Sequence, residues 1–163
     1  MPSTPSLRLA ATLAALALLV SACGKDPVSI PSVRLSAADQ AVCQRVTNAL
    51  PDRLGDKSRR KTQPAEALGG AWGDPAMVVQ CGVAAPAELT RTSQCTVVDG
   101  VAWFLPPEQD DDPASDAVLS TVGYDPVLQL TVPAHDRGPV LAAAEAELAP
   151  IVKQYLHRVR RCL

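Results

Sequence analysis

Five cysteines, two histidines and a cluster of carboxylates are the residues here whose types can carry chemistry. Cys23 ends an apolar stretch, Cys43 and Cys162 lie at helical spacing in apolar stripes, and Cys81 and Cys95 stand between them. A cysteine can accept an acyl group, ligate a metal or form half of a disulfide. No pair has Cys-x-x-Cys spacing, which counts against structural zinc. Glu108, Asp110, Asp111, Asp112 and Asp116 offer oxygen ligands suited to calcium. Their spacing is not that of an EF-hand, so they are read as a solvated acidic loop and no metal is assigned. His135 and His157 lack a partner pattern, and Gly-x-Ser-x-Gly, His-Glu-x-x-His and P-loop motifs are missing, so no catalytic residue or cofactor is assigned. Trp72 with Gly73-Asp74-Pro75 is a candidate recognition corner, weighed against a plain turn with a core anchor, and Trp103 is read as core.

The first twenty-three residues give Cys23 its meaning. Arg8 precedes an apolar run from Leu9 to Val20, the pattern of a secretory leader. Twelve helical residues reach only about 18 Å, short of the roughly 30 Å hydrocarbon core, so a permanent span is not expected. The run ends in Val20-Ser21-Ala22-Cys23, which resembles the bacterial lipobox: a branched residue, two small ones, then the thiol that takes diacylglycerol. Residues 1–22 are therefore expected to be a signal peptide and 23–35 a tether. With Pro27 and Pro31, that tether would reach at most roughly 40 Å. Residues 36–163 are expected to form one exported domain on the outer face of the cell membrane. The formal charge is -2, with no sustained basic face, which sets nucleic acid aside as a partner.

The elements that must position these residues follow from patterning. Ser36-Ala37-Ala38-Asp39 fits a capping box, and Val42, Cys43, Val46, Ala49 and Leu50 continue at helical spacing up to Pro51. Residues 52–64, with Arg53, Lys57, Arg59, Arg60 and Lys61, read as an exposed basic loop. From Ala71 to Pro133 short β-branched runs alternate with Gly, Pro and Asp. Met77 to Val83 is a strand, Asp99-Gly100 turns a hairpin, and Tyr124-Asp125-Pro126 turns a second. After Gly138-Pro139 a stripe from Leu141 to Cys162 predicts a long helix that Pro150 kinks or splits. The expected fold is α+β: an antiparallel sheet of four to five strands with N-terminal and C-terminal helices on one face.

Acylation of Cys23 leaves four cysteines in an oxidising compartment, which favours two disulfides. The stripe positions of Cys43 and Cys162 and the neighbouring strands of Cys81 and Cys95 suggest the pairs 43 with 162 and 81 with 95. That pairing would set Arg158, Arg160 and Arg161 near the tether, facing anionic lipid at about 1 kcal/mol each. Otherwise these arginines complement a helix C-terminus.

Ala71-Trp72-Gly73-Asp74-Pro75-Ala76, Cys81-Gly82-Val83, Thr92-Ser93-Gln94-Cys95, Val98-Asp99-Gly100-Val101-Ala102-Trp103 and Thr121-Val122-Gly123-Tyr124-Asp125-Pro126 together resemble a family. It comprises small exported or lipid-anchored proteins of high-GC Gram-positive bacteria, catalogued as a domain of unknown function (family 3515). The resemblance, over roughly Cys43 to Pro133, implies an envelope location and brings no activity. The expected role is a lipid-anchored, non-enzymatic module that binds or organises another envelope protein or a cell-wall component. The alternative is a hydrolase or transferase acting on cell-wall material, for which a cleft joining titratable side chains would be the sign.

Overall fold

The computed structural model describes residues 25–160 and 162. Helix α1 (Ala37–Ala49) begins where the capping pattern places it, with the Asp39 amide donating to Ser36 Oγ at 3.1 Å. It ends at Leu50, held extended by the proline that follows. Its buried side chains are Val42, Cys43 and Val46. A single turn, α2 (Pro107–Asp110), interrupts the acidic loop, and α3 (Pro139–Tyr155) is the long helix.

Eight strands form one antiparallel sheet: β1 (Arg53–Leu54), β2 (Lys57–Arg60), β3 (Gly69–Trp72), β4 (Met77–Val83), β5 (Thr96–Val98), β6 (Val101–Phe104), β7 (Ala117–Thr121) and β8 (Val127–Val132). Their order is β1-β2-β3-β4-β8-β7-β6-β5, so two four-stranded meanders meet where β4 pairs with β8, Val79 opposite Leu130. Met77, Val79 and Cys81 alternate inward on β4, as do Leu128, Leu130 and Val132 on β8. Helix α1 packs on β3 and β4, and α3 packs on α1 as well as on β1, β5 and β6. Because α3 touches strands at both edges, the sheet curls around it.

The α+β class is as the sequence implied, but the sheet is larger than four to five strands. The presumed basic loop supplies β1 and β2, whose charged side chains are engaged in the fold. Arg59 Nη1 donates to Leu50 O at 2.7 Å, Arg60 Nη1 donates to Gly73 O at 2.8 Å, and Lys57 pairs with Asp136 at 2.6 Å. The presumed tether also differs from expectation, because it is docked. Val28–Ser29 pairs in parallel with Thr62–Gln63, Ile30 is buried, and Gln80 Nε2 donates to Pro31 O at 2.8 Å.

Helix α3 runs unbroken through Pro150 but stops at Tyr155. His157–Arg158 instead pairs with Tyr124–Asp125, and the Val159 amide donates to Gly123 O at 2.8 Å. Gly123 has φ +77°, and a Cβ there would run into the Arg160 carbonyl, so glycine admits the tail.

The disulfides are Cys43–Cys81 and Cys95–Cys162, with Cα separations of 5.4 and 6.5 Å, and not 43 with 162 and 81 with 95. Cys81 shares the inward face of β4 with Met77 and Val79, which turns it toward α1 and Cys43. Cys162 lies beyond the helix, in the tail, where it joins Cys95 and covers Ala102, Phe104 and Val122 from the other side of the sheet. The bridges span 38 and 67 residues, for which loop-closure entropy predicts about 4 kcal/mol each. Peptide mapping of the oxidised protein should recover these two links. Replacing either pair with alanine should lower stability in denaturant titration by about 4 kcal/mol, and more for the buried Cys43–Cys81 pair.

Candidate functional site

The entry to α3 is fixed by contacts that the acidic loop supplies. Arg137 Nη1 donates to the carbonyls of Asp112 at 2.7 Å and Ser115 at 3.2 Å, and Asp116 Oδ1 accepts from the Ala134 amide at 3.0 Å. Asp136 is buried against Lys57 and lies 3.3 Å from His135 Nε2. Pinned there, the first half of α3 forms one wall of an open cleft. The other walls come from β6, from Leu119 of β7 and from the segment that carries Glu88 to Thr96. The cleft has a volume of about 850 Å³.

Glu145 defines its chemistry. The residue lies on the buried face of α3, four residues after Leu141 and three before Leu148, and is 5% exposed. Its Oε1 has no hydrogen-bond partner among the described residues, and burial pushes its carboxyl up to about 7. Trp103, which also lines the cleft, is 1% exposed, and its indole N–H likewise finds no acceptor there. Buried polar atoms are ordinarily paired, so two orphans lining one cleft mark a place where a bound group would complete the bonding. Asp110 and Glu88 stand at exposed positions on the rim, alongside Thr90 and Ser93.

The residues singled out in the sequence fare differently. Trp72 is fully buried, its Nε1 donating to Pro51 O at 3.0 Å and its ring lying 5.5 Å from the Arg59 guanidinium. It is therefore a core anchor, and the exposed recognition corner reduces to Asp74. Lys25, at 2.7 Å, holds the Asp74 carboxyl below its usual range, with Arg60 at 3.7 Å adding to the effect. Of the acidic run, Asp110 alone reaches the cleft, and no three His, Cys, Asp or Glu side chains gather in metal-binding fashion among the described residues. His135 and His157 lie on the surface away from the cleft lining. Arg158 stacks over Tyr124 at 6.0 Å, and Arg160 is exposed. The disulfide that was to bring these arginines beside the tether is replaced by Cys95–Cys162. Cys23 and Arg161 lie outside the described residues. Glu145 was missed, although its signal was present: a carboxylate at helical spacing inside an apolar stripe.

The family described as Protein of unknown function (DUF3515) matches residues 4–160. No curated protein and no solved structure matches the chain.

Because Glu145 keeps its proton to about pH 7 when folded and to about 4.5 when unfolded, its contribution is complete below the lower value. It is lost as pH rises through the higher one. Glu145→Gln cannot ionise. It should therefore exceed the native chain in stability by about 1–3 kcal/mol near pH ~8, an advantage that vanishes near pH ~4 in parallel denaturant titrations.

Proposed function

As the chain belongs to the DUF3515 family, whose function is unknown, we propose from its own residues that it is an envelope lipoprotein anchored through Cys23. Its exported domain is a non-enzymatic binding module that takes its ligand in the Glu145 cleft. The anchor rests on the leader and on Val20-Ser21-Ala22-Cys23. The observation that carries the binding reading is the orphaned, buried Glu145 carboxyl lining an open cleft. Such a group lowers stability at neutral pH and returns nothing to the fold, which is the usual mark of a site kept for recognition.

The docked segment supports a definite attitude toward the bilayer. Lys25 is paired with Asp74, so only Gly24 separates the lipid-bearing residue from the domain surface. The Gly73–Pro75 turn would then face the membrane. Strand β4 leads away from that turn, which sets the Tyr124–Arg158 end roughly 20 Å further out. No helix among the described residues is long and apolar enough to cross a membrane.

One feature favours a second reading, a hydrolase or transferase acting on cell-wall material. A carboxyl titrating near 7 suits a general acid, and Asp110 and Glu88 share its cleft. The binding reading leads because both of those carboxylates occupy exposed rim positions with no hydrogen bond or ion pair among the described residues holding their side chains. Glycoside hydrolysis by paired carboxylates needs the second one held at a set distance from the first.

Mass measurement of the native protein should give a chain starting at Cys23 with acyl groups attached, and Cys23→Ala should release the domain from the membrane fraction. A photo-crosslinking side chain at Ser93, on the cleft rim, should capture one envelope species in intact cells. The same group at exposed Gln44 on α1 should not. Equal capture at both positions would contradict the cleft reading, and turnover of cell-wall saccharides that Glu145→Gln abolishes would establish the enzymatic one.

A further inference from the structure

The charges around the cleft are unbalanced in one direction. Its ionisable lining consists of Glu88, Asp110 and Glu145 against Arg137 alone. Arg137 directs Nη1 at two backbone carbonyls, which ties it to the acidic loop. None of the three carboxyl groups forms an ion pair among the described residues. Glu145 is the most buried of them, 5% exposed, and it is part of the cleft lining. Apolar lining comes from Leu105, Leu119 and Leu141, and the rim carries the hydroxyls of Thr90 and Ser93. An anion would meet three carboxylates. A purely apolar ligand would cover Glu145 and leave its carboxyl without a partner, at a cost of about 1–3 kcal/mol.

We propose that the cleft binds a primary ammonium group carried on a short aliphatic arm, with Glu145 as its counter-ion. This deepens, and rests on, the reading of the cleft as a ligand site. The arm lies along Leu141 and Leu105, which pack on the same side of the sheet, and the ammonium faces the Glu145 carboxyl as its counter-ion. Glu88 and Asp110 attract the cation to the mouth. Ammonium groups of this kind occur on the side chains of peptides and on lipid head groups. The two sources differ in what accompanies the cation. A phosphate next to the ammonium would be repelled by Glu88 and Asp110, so the peptide-type amine is the better fit.

The chain has two tryptophans, which makes the test direct. Indole N–H resonances of the 15N-labelled full chain in detergent micelles would be followed during titration with three probes. These are Nα-acetyl-lysine amide, phosphoethanolamine, and the uncharged Nα,Nε-diacetyl-lysine amide. The lysine derivative should move the Trp103 signal saturably and leave Trp72 in place, phosphoethanolamine should bind more weakly, and the diacetyl probe should have no effect. Glu145→Gln, which does not threaten the fold, should weaken the lysine probe by about tenfold or more. Equal binding of the diacetyl probe would overturn the ammonium assignment while keeping the cleft as a ligand site. No response to any probe would also overturn it, and capture through Ser93 would then decide the cleft reading on its own.

Discussion

Removing a carboxylate from water without a counter-ion disfavours its charged form, and in a folded protein the strain is relieved by taking up a proton or by meeting a partner. Glu145 is in that position: buried on α3, without a bonding partner for Oε1 among the described residues, and shifted to about 7. The group would be neutral through most of the acid range and half ionised near neutrality. Substituting a leucine would satisfy the apolar stripe from Leu141 to Leu148 better. The presence of an ionisable group there is what turns a surface depression into a site with chemistry.

The rest of the fold holds that group in place. The two meanders joined at β4 and β8 curl far enough that α3 contacts both sheet edges, which fixes the helix along its length. Its first turn is set by Lys57–Asp136 and by the two carbonyls that Arg137 caps. The opposite wall is closed by a covalent link, since Cys162 ties the tail to Cys95 beside the rim. The second link, Cys43–Cys81, is buried between α1 and β4, where it ties the helix layer to the sheet. A chain with one phenylalanine and an aromatic content of 3% has limited apolar area to spend on a core, and two cross-links offset that shortage.

What the sequence made legible were features decided by local geometry. Asp99 and Gly100 both adopt φ > 0 (46° and 79°), as a two-residue hairpin requires, and the β-branched run from Met77 to Val83 marked β4. The first strands were illegible because their composition contradicts their role. Lys57–Arg60 reads as a solvated loop, yet Arg59 and Arg60 spend their guanidinium groups on carbonyls of the fold. The turn before it, Gly55-Asp56, carried the same positive-φ signature as Asp99-Gly100 but lacked β-branched neighbours to mark it. The disulfide pairing depended on where α3 ends. No glycine announces that end, and the tail leaves the helix to pair with Tyr124–Asp125, so the helical stripe was projected seven residues too far, from Tyr155 to Cys162. The cleft draws on elements spread from Glu88 to Glu145, and Glu145 and Trp103 are brought together only by tertiary packing. Spacing could show that a carboxylate interrupts a stripe. It could not show that the carboxylate lacks a partner.

Glu145 is shut away from water, with no ion pair to balance its charge among the described residues. Its side-chain carboxyl carbon, observed by NMR in protein labelled with 13C-glutamate and assigned through Glu145→Gln, reports its titration directly. A midpoint near 7 is expected in the unliganded protein. A midpoint close to the ordinary 4.5 would contradict it, because the carboxylate would then be solvated or already paired, and the cleft would lose the feature that makes it a site.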